Sequence, residues 1–170
     1  MSRKYSVNKY ISEIADRLYA NQTLCKYLYY DQSNPLDQPD ISNTEVLYTD
    51  YENQRLMFNP FTRNIEDSRM SKLCVLLNNI ESDRTGYFKQ ISLDCIIACH
   101  NELWTITVAD QDIGVRPLLI WDELDATLGE YQTRGVGKDK FDYSSLIYFT
   151  DNYTGYKVCY RSISLPIRAE

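Results

Sequence analysis

The feature that most limits how this chain can fold is a change of hydrophobic period partway along it. Between Tyr87 and His100 the residues Ile91, Leu93, Cys95, Ile97 and Cys99 recur at every second position. A strand turns successive side chains to opposite faces, so this spacing predicts a sheet with one buried face. Ser92 and Asp94 lie on the other face, which becomes apolar at Ile96 and Ala98. Just upstream, Leu73-Cys74-Val75-Leu76-Leu77 is almost wholly apolar and reads as a buried central strand. Past His100-Asn101-Glu102, Trp104, Ile106 and Val108 alternate with Thr105 and Thr107, predicting a strand over 103–109 that pairs back as an antiparallel hairpin. Two last strands, over 146–150 and 156–163, are joined by the turn sequence Asp151-Asn152-Tyr153-Thr154-Gly155.

Before the period of two there is a helical period. Val7, Tyr10, Ile11, Ile14 and Leu18 fall at three- and four-residue steps, with Lys9, Ser12, Glu13, Asp16 and Arg17 opposite them. The pattern resets at Ala20-Asn21-Gln22, and Thr23 to Leu28 gives a short second helix or a bent continuation. A later helix opens at Arg116-Pro117, because proline tolerates the first turn, where its missing N–H would have no partner. Trp121, Leu124, Leu128 and Tyr131 form its predicted buried stripe, Asp122, Glu123 and Asp125 lie in its N-terminal half, and Gly135-Val136-Gly137 ends it. The order of elements is that of an α+β fold, an antiparallel sheet flanked by an N-terminal helix and a second helix.

The least regular stretch is 31–71, which contains Asn34-Pro35, Gln38-Pro39 and Asn59-Pro60. Brief extended pieces are expected over 45–49 and 55–58. Leu36, Ile41, Leu56, Met57, Phe58 and Phe61 make it too apolar for a solvating linker. It reads as an extended arm that packs against something, another subunit being one choice.

The 170 residues make one domain, 1–170, large enough for a real core. With 18 Lys+Arg against 24 Asp+Glu the net charge is −6, which argues against affinity built on neutralising phosphates. No apolar run reaches the roughly 18 to 20 residues of a membrane-spanning helix, and no apolar region follows the basic N-terminus as in a signal peptide. Five dispersed cysteines, Cys25, Cys74, Cys95, Cys99 and Cys159, read as reduced buried thiols. Tyrosine occurs 15 times against five phenylalanines; it serves either at protein interfaces or as a substitute for Phe in cores and half-exposed strands.

Motifs that carry chemistry are missing. There is no phosphate-binding glycine loop, nucleophile elbow, HExxH or EF-hand loop, so no catalytic residue and no cofactor is expected. The single histidine, His100, excludes any site needing two imidazoles. Cys95 and Cys99 share a strand face but stand roughly 13 Å apart at about 3.3 Å per residue, too far to share a metal. Cys99 and His100 point to opposite faces. The acidic pairs Asp122/Glu123, Glu66/Asp67 and Asp110/Asp112 read as solvated surface. Arg116 and Arg134 bracket the second long helix, as surface ion pairs or as contacts to a neighbouring subunit.

The segment Lys26-Tyr-Leu-Tyr-Tyr-Asp-Gln-Ser-Asn-Pro35-Leu-Asp-Gln-Pro39-Asp-Ile41, placed after an amphipathic helix, resembles one in neck proteins of tailed bacteriophages. So do Ile113-Gly-Val-Arg116-Pro117 at a helix start, Arg134-Gly-Val-Gly137, and the strands around Thr154-Gly155-Tyr156. In order and spacing the chain is similar to the tail-terminator family. That resemblance implies a structural virion protein, made in the host cytoplasm, that forms a hexameric ring capping the tail tube. The tail tube protein and head-connector proteins would be its partners, DNA would pass the channel passively, and no membrane, metal or cofactor would be involved. Contact residues expected on this view are Tyr29, Tyr30, Leu36, Ile41, Phe58, Phe61, Arg116 and Arg134. Other readings are a head-completion or stopper ring, a host-directed accessory protein, or a small enzyme or ligand-binding α+β domain using Asp94, His100 or tyrosines.

Overall fold

The alternating strand lies inside the sheet, with a long partner on each side. In the computed structural model, which describes residues 7–42, 54–58, 69–82, 88–107, 113–129, 132–133 and 137–166, the order of elements is α1 (Val7–Ala20), α2 (Gln22–Tyr29), β1 (Leu56–Met57), β2 (Ser71–Ser82), β3 (Phe88–His100), β4 (Thr105–Thr107), β5 (Ile113–Val115), α3 (Arg116–Leu124), β6 (Gln132–Thr133), β7 (Gly137–Thr150) and β8 (Tyr153–Pro166). The main sheet runs β1-β2-β3-β8-β7-β6, and β4 and β5 form a separate two-stranded ribbon. β1 is parallel to β2, and every other pairing is antiparallel. The fold is α+β.

The helices cover one face of the sheet. Ile91, Leu93, Cys95, Ile97 and Cys99 of β3 are fully buried there, with Leu73 and Val75 of β2 and Val158 and Tyr160 of β8. From the helices come Tyr10, Ile14 and Leu18 of α1, Leu24, Cys25, Tyr27 and Leu28 of α2, and Ile120 and Leu124 of α3. Each fully buried aliphatic side chain contributes roughly 1.5–3 kcal/mol, so the period-two and period-3.6 stripes secure one another. The reset at Asn21 is a cap: its Oδ1 accepts from the Leu24 N–H at 3.0 Å. Its Nδ2 donates to Glu123 Oε2 and Thr127 Oγ1, fastening the start of α2 to the end of α3. On the opposite face Met70, Ala98 and Tyr153 form a small second cluster.

The expected hairpin between 87–100 and 103–109 does not form. β3 pairs with β8 along its whole length, from Phe88 opposite Pro166 to His100 opposite Tyr153, leaving no edge beside it. Residues Asn101–Leu103 instead make a 3-10 turn, with His100 Nδ1 accepting from the Glu102 N–H. The Asn101 side chain locks that turn to the β7–β8 connection, donating to Asp151 O and accepting from Thr154 Oγ1. β4 then pairs with β5. α3 begins at Arg116 as expected but stops at Leu124, continuing as a π-helical turn over Asp125–Gly129. Asp122 and Glu123 therefore sit in its last turn, not its N-terminal half; Tyr131 and Gly135 lie outside the described residues.

The described parts of the 31–71 segment are bound to this chain itself. Pro35–Asp37 is a 3-10 turn, and Ile41 is buried in the main core. The Gln22 side chain holds Ile41 by both its backbone N–H and C=O. Arg55 forks onto Asp31 at 2.9 and 3.0 Å and also donates to Leu28 O. β1 appears within the predicted 55–58, whereas the extended piece over 45–49 lies outside the described residues.

Arg116 is placed in the interior and not at the surface where an ion pair or a neighbouring subunit would meet it. It is the largest fully buried side chain among the described residues. Its Nη1 donates to the carbonyls of Tyr27 and Tyr30, at 2.9 and 2.6 Å, and its Nη2 to that of Gln32 at 2.6 Å. These carbonyls end α2, where a cation meets the negative pole of the helix. Arg116→Met would strand them in the core and should lower unfolding free energy by on the order of 3 kcal/mol, read from denaturant midpoints. Gly155 is required for a different reason. It faces Ala98 across the β3–β8 ladder, and a Cβ there would lie 1.8 Å from the Ile97 carbonyl oxygen. Gly155→Ala should push β8 off β3 and cost on the order of 3 kcal/mol or more, seen as a large fall in Tm.

Candidate docking surface

Among the described residues, one long strand of this sheet has no second neighbour over most of its length. β7 pairs with β8 on one side; on the other, β6 reaches only Gly137 and Lys138. Beyond these no strand among the described residues borders it. Register shifts between Phe141 and Tyr143 and between Tyr148 and Thr150 mark bulges that isolate a regular stretch, 143–148. That stretch, Tyr-Ser-Ser-Leu-Ile-Tyr, holds no charge, glycine or proline, so the bulges at its ends, and no side chain within it, limit how this edge can pair.

The register fixes which side chains share a face. Phe141, Ser144, Leu146 and Tyr148 stand opposite Tyr160, Val158, Tyr156 and Thr154, on the side of the helices. Tyr143, Ser145 and Ile147 face the other way, opposite Cys159, Lys157 and Gly155. The helices reach β7 at Asp139 and, through Trp121, at Phe141, and leave the rest of its face open. Phe141, Leu146 and Tyr148 are 50%, 45% and 76% exposed, where an interior strand would bury such side chains. A relay of rings leads from the core to this strip: Trp104 to Tyr156 at 6.4 Å, Tyr156 to Trp121 at 5.9 Å, Trp121 to Phe141 at 5.6 Å.

On the opposite face Lys157 Nζ binds Asp94 Oδ2 at 2.6 Å and sits 6.0 Å from the centre of the Tyr143 ring. The hydrogen bond to Asp94 raises the Lys157 pKa. Asp94 is 5% exposed and faces Cys159 across the β3–β8 ladder. At the other end of the sheet β1 covers β2 only at Leu73 and Cys74. Just past that point lies a cleft of about 400 Å³ lined by Ile11, Phe58, Val75, Leu76, Leu77, Asn78 and Asp94.

Nothing in the described residues assembles a reaction centre. All five cysteines are free and buried, and burial raises the thiols of Cys25 and Cys99 to about 11 and that of Cys74 to about 12, far from a reactive thiolate. No group of described His, Cys, Asp and Glu has a metal-binding arrangement. Asp94 and His100 share a face of β3 but lie roughly 20 Å apart along the strand. No helix among the described residues is long and apolar enough to cross a membrane.

Of the contact residues expected from the sequence, Tyr29, Tyr30 and Arg116 come together at the end of α2. Tyr29 and Tyr30 meet edge to face at 5.0 Å, and Tyr30 donates to Pro39 O. Leu36 and Phe58 pack on the main core, Phe58 against Tyr19 at 6.5 Å. Ile41 and Arg116 are buried; Phe61 and Arg134 lie outside the described residues. The strip Phe141, Leu146 and Tyr148 was missed, although an uncharged run rich in Tyr and Ser was its visible signal.

The inner end of β7 is anchored by Asp139, which is 1% exposed and accepts from the Tyr10 hydroxyl at 2.7 Å. Burial raises its pKa above 3.8; the Tyr10 bond and Arg17 oppose the shift in part. A carboxyl raised on folding is at no disadvantage below its unfolded pKa. It loses stability as pH climbs from there through the folded pKa, because the unfolded chain ionises more readily. Asp139→Asn keeps an acceptor for Tyr10, so its stability relative to wild type should rise between pH 3.5 and 7, measured by denaturant unfolding at both.

Residues 21–162, from the cap of α2 into β8, match the family model YomW, and the chain belongs to that family, which is of phage origin. No curated protein matches the chain.

Proposed function

We propose that this phage-derived protein is a structural subunit without catalytic activity, working as a ring in the neck of the particle, with the tail terminator as its specific form. In that role it caps the tail tube and joins it to the head connector, so its partners are the tube protein, connector proteins and copies of itself. The observation that carries the reading is the exposed apolar edge of β7: a strand of this length with Phe141, Leu146 and Tyr148 open to water suits a protein that is finished by association. Phage ancestry and the resemblance over 26–41, 113–117, 134–137 and 154–156 support placing that association in a neck ring.

A ring requires one patch of each subunit to fit a different patch of the next, with the rotation closing. The net charge of −6 is also suited to a channel that lets DNA slide, since acidic walls repel phosphates. The expected result is closed rings of the purified protein, seen by mass measurement in solution and by negative-stain imaging, with binding to the ends of tail tubes. Turnover of a small substrate that is lost on changing one polar side chain would overturn the proposal. So would a chain that stays monomeric at high concentration and ignores tube ends.

A further inference from the structure

We infer that β7 of one copy adds antiparallel to β2 of the next, seated in the cleft beside residues 75–78, so that the sheet continues from subunit to subunit; this rests on the ring reading above and names its contact. Two observations converge on it.

The first is direction. From β2 to β3, β3 to β8 and β8 to β7 there are three antiparallel steps, so β2 and β7, the outer long strands among the described residues, run in opposite senses. A copy generated by rotation about an axis along the strands keeps both strand direction and the side of its helices. It therefore brings β7 to β2 already antiparallel, with both helical layers on the same side. The chain's own β1 stops after Met57, opposite Cys74, and leaves the next residues of β2 without a described strand beside them.

The second is the match of faces. On the helix side the cleft offers Ile11, Phe58, Val75 and Leu77. The face that β7 turns to that side carries the exposed Leu146 and Tyr148. Burying them there removes from water the apolar surface that the chain's own helices leave open.

A two-fold pairing of β7 with β7 would leave this cleft unfilled.

The test is complementation between two exposed substitutions. Leu146→Glu spoils β7 and leaves the cleft intact; Asn78→Glu sets a carboxylate beside Asp94 and leaves β7 intact. Circular dichroism checks that both still fold. Each variant alone should fall from the wild-type assembly mass to that of a monomer. A mixture should return to twice the monomer mass, since one intact junction remains. As a second measurement, the double variant Asn78→Cys/Ser145→Cys should give a ladder of cross-linked oligomers under oxidation, and each single variant none. Wild-type rings indifferent to both Glu substitutions would overturn this contact and leave the ring reading standing. Loss of assembly with Leu146→Glu only, together with Ser145→Cys dimers, would replace it by two-fold pairing. A wild type that stays monomeric at high concentration and ignores tube ends would overturn the ring reading itself.

Discussion

The corner where α2, α3 and the irregular segment meet is held together by one buried cation. Arg116 opens α3, yet its guanidinium reaches back to the chain leaving α2 and satisfies carbonyls of Tyr27, Tyr30 and Gln32. A guanidinium has five donors in a rigid fork, so it can bind several carbonyls at once where an ammonium would be a single point. Burial lowers its pKa from the ordinary value, but an arginine starts so high that it remains charged. The same corner holds Arg55, which spans Asp31 and Leu28 O and hands its own carbonyl to the N–H of Leu73 in β2. The two arginines thus join the end of α2, the start of the irregular segment, α3 and the sheet. With the helical layer fixed at that corner, it covers β2, β3, β8 and the start of β7 and leaves Leu146 and Tyr148 open.

Much of this was readable in the sequence wherever a side chain's position depends on local period. The stripe Tyr10, Ile14, Leu18, the reset at Asn21, the alternation of β3 and the helix start at Arg116-Pro117 are all present, because burial on one face leaves a periodic trace. Strand partnership leaves no such trace. The segment after His100 has the alternation of a strand, but β8 matches β3 over a longer ladder and takes its place. The early part of β7 was invisible for a related reason. Lys140, Asp142, Ser144 and Ser145 sit on a strand with both faces near water, so no alternation marks it.

Arg116 shows the converse limit. A charged residue at a helix start looks like surface until the fold brings the end of α2 against it, and its partners are backbone carbonyls that carry no sequence signature. The abundance of tyrosine had two open explanations, and individual residues bear on both. Tyr10, Tyr153 and Tyr160 are core residues whose hydroxyls meet Asp139, the Met70 N–H and Asp125. Tyr143 and Tyr148 stand on the exposed edge, the amphipathic use expected of a contact surface.

The bulges of β7 bear on why an open edge does not become an open-ended aggregate. An unprotected edge strand pairs with whatever extended chain it meets, and a long flat one does so in many registers. Here the regular stretch is bounded on both sides, and the added twist at each bulge turns the strand away from a flat partner. Only a short window remains, with a large side chain at Leu146 and Tyr148 on one face and a small hydroxyl at Ser145 on the other. A neighbour one residue out of step would turn Leu146 and Tyr148 to the wrong side, so the window selects a register as well as a partner. A head-to-tail contact with a fixed register also fixes the rotation between copies, and that rotation decides whether such a contact closes into a ring or grows as a filament.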